Sequence, residues 1–130
     1  MLNLSLLSLI GGGISRVRER AEALESRVSA LSKSQAVIEF DPAGRVLDAN
    51  ENFLAVVGYR RNEVVGQHHR MFMVQGEAGR PEYAEFWARL GRGEFVSGRF
   101  RRIGKNGREV WLQASYNPIL GPGGKVVGVM

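Results

Sequence analysis

Two long alternating segments joined by Lys105-Asn106-Gly107 restrict this chain more than any other feature. The first is "FVSGRFRRIG" (95–104) and the second "REVWLQASYNPIL" (108–120). An Asn-Gly pair readily takes the positive φ angles that a tight hairpin needs, so the two runs read as adjacent antiparallel strands. In the second run Val110, Leu112, Ala114 and Tyr116 alternate with Trp111, Gln113, Ser115 and Asn117. A strand repeats its side-chain direction every two residues, so one set faces a core and the other faces away. The turn "GPGG" leads into a third strand, "KVVGVM" (125–130), and "AVIEFD", "PAG" and "RVLDAN" (36–50) predict an earlier hairpin.

Between the hairpins the periodicity becomes helical. Asn50 is placed to cap "ENFLAVVGY", whose Phe53, Leu54 and Val57 share one face and which Gly58 ends. "RRNEVVG" supplies one more short turn. Pro81 suits a helix start, and "PEYAEFWARLGRG" gathers Tyr83, Phe86, Trp87 and Leu90 on one side. Two strands, small helices and three strands in that order predict an antiparallel α+β domain over residues 35–130.

Residues 1–34 have a different texture. Ile14, Val17, Ala21, Leu24, Val28 and Leu31 recur at spacings of 3, 4, 3, 4 and 3, with arginine and glutamate around them. This a/d pattern predicts an amphipathic helix that pairs with a second copy as a coiled coil. Gly11, Gly12 and Gly13 interrupt the helix upstream. The apolar opening "MLNLSLLSLI" is about half the ~20 residues that a membrane span needs. It also lacks a basic leader region and an A-x-A cleavage site, so the expectation is a cytoplasmic protein with no membrane span.

Composition excludes several chemistries. There is no cysteine, hence no disulfide, thiolate zinc site or cysteine nucleophile. No Ser/His/Asp order, phosphate-binding glycine loop or paired-carboxylate motif is visible, and the chain is not expected to be an enzyme. The net charge of +5 raises nucleic acid as a partner. Outside "RFRRIGKNGR" (99–108) the arginines are scattered, and that hairpin lacks the interleaved aromatics that base stacking uses. Arg99, Arg101, Arg102, Lys105 and Arg108 are therefore expected in solvent or beside acidic neighbours, with no nucleic-acid partner. His68 and His69 are the two histidines of the chain. Adjacent residues cannot face the same way, so at most one of them looks inward; the expectation is His69 inward and His68 outward.

"DPAGRVLDANENFLAVVGY", "VVGQHHRMF", the run from Trp87 to Gly98, "RRIGKNGREVW" and "GGKVVGV" together resemble a PAS sensor domain. The resemblance covers residues 35–130 and is strongest to chemotaxis transducers of the aerotaxis-receptor type. It implies a five-stranded antiparallel sheet with small helices on one face, fed by an N-terminal coiled-coil helix. It further implies a homodimer and a downstream signalling domain in the same longer chain.

For the pocket the resemblance favours FAD, read out as redox state or oxygen, with Trp87 flanking the ring system. Gln113, Ser115 and Asn117 would meet the flavin edges and Arg70 a phosphate. The stretch "FMVQGEAGRPEY" departs from the basic-His-Pro-Asp run of aerotaxis receptors. Haem b ligated by His69, beside Met71, Phe72 and Met73, is the alternative implied by oxygen-sensing relatives. A cofactor-free dimerisation or small-ligand module is the third reading.

Overall fold

The computed structural model describes residues 16–27, 30 and 35–130. The chain divides into two units, residues 1–34 and 35–130. In the first, residues 16–27 form a helix, α1, on which Val17 and Leu24 of the a/d series are 69% and 62% exposed. Ala21 is exposed with them; Ile14, Val28 and Leu31 lie outside the described residues.

The second unit opens with the expected hairpin, β1 (Ile38–Phe40) and β2 (Val46–Ala49), antiparallel with a bulge between Glu39 and Phe40. Asp41 Oδ1 accepts from the backbone N–H groups of Ala43 and Arg45, both at 2.9 Å, which closes the turn. Asn50 then begins α2 (Glu51–Val57), its side chain accepting from Phe53 N–H at 3.0 Å and from Val37 N–H at 2.9 Å. One residue thus caps a helix and ties it to the approach to β1. Gly58 stops α2 in the left-handed conformation at φ 78°. The short α3 (Arg61–Val64) follows, then 3-10 turns at His69–Phe72 and Glu77–Gly79, and then α4 (Pro81–Gly91).

The strands β3 (Val96–Ile103) and β4 (Glu109–Tyr116) pair along their whole length, Val96 opposite Tyr116 and Ile103 opposite Glu109. Their turn is built as expected, Asn106 at φ 64° and Gly107 at φ 75°. The segment read as one long strand is broken, however. Pro118 has no N–H to give a ladder. At Asn117 the chain instead exchanges two backbone hydrogen bonds with Met130, 2.8 and 2.9 Å. Beyond it β5 (Pro118–Leu120) pairs with β6 (Val126–Val129). The expected single five-stranded sheet is therefore replaced by six strands in two ladders, β2-β1-β6-β5 and β3-β4.

The core lies where both ladders face the helices, with Phe40, Val46, Val57, Val64, Leu90 and Val129 almost wholly buried. The hairpin turn is pinned to α2, because a Cβ built on Gly104 would stand 2.6 Å from the carbonyl oxygen of Val57. Gly104→Ala should therefore cost about 1–3 kcal/mol by overpacking. Chemical denaturation would read this as a lower midpoint at unchanged slope, whereas a wild-type midpoint would mean that the turn is not held against α2.

Candidate functional site

A strap of four residues carries the histidines into the core. Gly66 N–H donates to Val46 O, Val46 N–H to Gln67 O and His69 N–H to Gly44 O, each at 2.8 Å. Residues 66–69 are thereby laced onto β2 and the turn before it. Gly44 is required there twice over. Its φ is +90°, and a Cβ on it would meet His68 Nε2 at 2.8 Å and the Trp87 ring at 3.0 Å.

His68 is half-buried rather than turned out into solvent. Its Nε2–H donates to Ala43 O at 2.9 Å and its Nδ1 accepts from Arg70 N–H at 3.1 Å, which fixes one tautomer and starts the 3-10 turn. His69 points into the core with 1% exposure. Its Nδ1 lies 2.8 Å from the Tyr83 hydroxyl and its Nε2 3.0 Å from the Tyr116 hydroxyl. Phe40, Phe72, Phe86 and Trp87 surround the ring at centroid distances of 5.3 to 6.0 Å.

Burial, and behind it the charge of Arg102, pushes the His69 imidazole down to about 3, so it is neutral at physiological pH. A neutral ring has one donor and one acceptor nitrogen. Arg102 Nη2 donates to the Tyr116 oxygen at 3.4 Å, leaving the Tyr116 proton for His69 Nε2. Nδ1–H is then the donor to Tyr83. Burial raises the Tyr116 phenol above its ordinary value, which keeps that proton on the oxygen.

Arg102 corrects one expectation. Arg99 and Arg101 are exposed, Lys105 pairs with Glu63 at 2.7 Å, and Arg108 reaches Val56 O at 2.7 Å, but Arg102 is 6% exposed. The alternation of β3 turns it inward with Phe100, whose ring lies 4.8 Å below the guanidinium.

The residues selected from the sequence do not converge on one site. Trp87 and His69 meet in the aromatic cage, their centroids 5.5 Å apart. Arg70 is exposed. Gln113 and Ser115 on the exposed side of β4, and Asn117 just beyond it, line an adjoining groove of about 540 Å³ with Gln35, Val37 and Met130. The cavity beside His69 measures about 10 Å³ and is lined by Phe40, Phe53, Phe72, Arg102 and Tyr116 among others. That is room for about one water, against the roughly 300–1,000 Å³ of pockets that hold drug-sized ligands. Neither a flavin nor a porphyrin fits the cavity beside His69 as it is packed, and both His69 nitrogens are already engaged. No cluster of metal-ligating side chains occurs among the described residues. Tyr83, Tyr116 and Arg102 were not selected from the sequence. The signal for the last two was their shared inward parity on paired strands.

The family model described as the PAS fold matches residues 46–130, and the chain belongs to that family. It is a non-catalytic sensory module. The chain is 47% identical over 117 residues to the biofilm dispersion protein BdlA of Pseudomonas aeruginosa, covering 90% of this chain and 28% of that protein. It is 33% identical over 85 residues to the aerotaxis receptor of Escherichia coli, covering 65% of this chain and 16% of the receptor. This chain thus spans less than a third of either relative.

Among solved structures, the PAS domain of a Colwellia psychrerythraea protein superposes with a TM-score of 0.71 at 25% identity. The match covers 82% of this chain and 91% of that one. A light-oxygen-voltage domain studied through a flavin analogue superposes with a TM-score of 0.65 at 28% identity, covering 80% and 79%. No helix among the described residues is long and apolar enough to cross a membrane.

Proposed function

We propose that residues 35–130 are the sensing module of a cytoplasmic chemotaxis- or aerotaxis-type transducer, and that their interior takes a ligand far smaller than flavin or haem. The observation that carries this reading is the closed cage around His69, with both imidazole nitrogens satisfied and space beside them for one water-sized group. A ligand entering there displaces water and re-pairs Tyr116 or Arg102, and the β3-β4 ladder moves with them. Flavin-based sensing of redox state or oxygen is the second reading. It is favoured by the likeness to the light-oxygen-voltage domain and to the aerotaxis receptor, and it requires the cage to open.

The absorption spectrum of the purified protein, alone and after incubation with FAD or haemin, separates these readings. The expected result is a colourless protein after gel filtration in all three cases. Stoichiometric flavin that is lost in Trp87→Ala but only weakened in His69→Ala would establish the second reading instead. A Soret band lost in His69→Ala and kept in His68→Ala would establish haem.

The relay is assigned to the N-terminal helix as a homodimer, passing the signal to a downstream domain of a longer chain. Its support is the a/d series from Ile14 to Leu31, of which Val17 and Leu24 stand exposed on α1. Leu24→Glu places a carboxylate in that seam, at a cost of several kcal/mol unless it reaches water. Light scattering should then report monomer. An unchanged dimer would move the contact to another surface.

A further inference from the structure

The interior holds a cation with no anion. Arg102 is 6% exposed, and none of the ion pairs among the described residues involves it. Its Nη1 donates to the carbonyl of Arg101 at 3.1 Å and its Nη2 to the Tyr116 hydroxyl at 3.4 Å. The rings of Phe100 and Tyr116 offer their faces at 4.8 and 6.0 Å. These are neutral partners. Its Nε–H is buried with no acceptor at all.

A guanidinium withdrawn from water normally has a carboxylate or phosphate beside it, because desolvation of the ion is costly and neutral dipoles repay only part of it. A donor left unpaired next to a cavity marks where an acceptor is missing. The cavity is lined by this same arginine, with His69, Tyr116 and apolar rings completing the wall. The other buried side-chain atom without a partner among the described residues, Trp87 Nε1, is also an N–H donor, in a ring 5.5 Å from His69. Both atoms are donors, so what the interior lacks is an acceptor.

We infer that the Arg102 cavity is a receptor site for a small monovalent anion, held by the guanidinium Nε–H. The inference rests on the small-ligand reading above and adds the charge of the ligand. Size follows from the space of about 10 Å³, which admits one compact group and no long chain. Access is through the neighbouring groove, which shares Ile38, Phe40, Phe53, Leu112 and Tyr116 with the cavity. A rotation of these side chains opens one into the other. Arginine suits the task because its fork binds a carboxylate in-plane and keeps its charge at any physiological pH.

Thermal unfolding of the whole chain at constant sodium and ionic strength tests this, with formate, nitrite or chloride replacing bulky gluconate. At least one of the small anions should raise the transition saturably, by about 5 °C once it stands far above its dissociation constant. Arg102→Met, which keeps the stem and removes the charge, should abolish the rise, and Arg102→Lys should restore part of it. A second readout does not depend on any variant folding. In the wild type the Arg102 Nε–H resonance should shift with the same midpoint as the thermal effect.

No saturable rise with any of the three anions, or an equal rise in Arg102→Met, overturns the inference. Neutral formamide stabilising the protein where formate does not would keep the small-ligand interior and overturn its preference for anions. A flavin or haem band in the purified protein would instead overturn the small-ligand interior itself.

Discussion

Phe40→Ala should lower the unfolding free energy by about 3–5 kcal/mol, the range for emptying a closed aromatic site. Phe40 is 1% exposed and stands where three strands meet, in register with Val46 on β2 and Val129 on β6. Its ring meets His69 at 5.3 Å and Trp87 at 5.7 Å, both edge-on. Truncation leaves a void between rings that cannot collapse, since His69 is held by two hydroxyls and the strap behind it by backbone bonds. Phe95, 63% exposed, is the matched control, and its alanine variant should stay within about 0.5 kcal/mol of wild type. Urea unfolding reads both. A small loss for Phe40→Ala would mean that the cage is loosely packed and able to shrink, which contradicts the closed interior.

The second large effect is acid lability. The unfolded chain binds a proton on His69 near the ordinary histidine value of 6.5, whereas the folded protein holds that value down at about 3. Between those limits the unfolded state carries the extra proton, so stability is intact above about pH 6.5 and is lost as pH falls. The slope is about 1.4 kcal/mol per pH unit, or roughly 2.7 kcal/mol by pH 4.5. Carboxylates also contribute to acid unfolding, so the diagnostic is a difference between proteins. His69→Gln keeps a hydrogen-bonding side chain without the titration, and its stability should fall less steeply between pH 6.5 and 4.5 by about one proton. Parallel profiles would show that His69 is protonated in the fold.

Both predictions depend on contacts that local sequence does not display. The hairpins were legible because a two-residue period and an Asn106-Gly107 turn act within a few positions. The caps at Asn50 and Gly58 were legible for the same reason. The break at Asn117 was not read, although Pro118 announced it, because the alternation continues across it unchanged. Residues 66–69 have no period, and their lacing onto β2 depends on backbone atoms that carry no side-chain signature.

At the site, residue type outweighed position. The charge of Arg102 matches that of its basic neighbours, whereas its parity with Phe100 on β3 turns it inward. Gln113, Ser115 and Asn117 have the polarity that a ligand edge needs, but the alternation that buries Tyr116 turns them away from His69. The hydroxyls on His69 come from Tyr83 and Tyr116, 14 and 47 residues away. Pairings at that range follow from the packing of α4 and β4 and leave no local trace.

Nitrogen-detected NMR of the His69 imidazole tests the closed polar centre most directly, because it reads tautomer, charge and hydrogen bonding on one ring. The expected result is a single neutral tautomer, protonated on Nδ1 and donating to Tyr83, that does not titrate between pH 8 and pH 5. A ring that takes a second proton with a midpoint near 6.5 would place His69 in contact with water and contradict the closed polar centre.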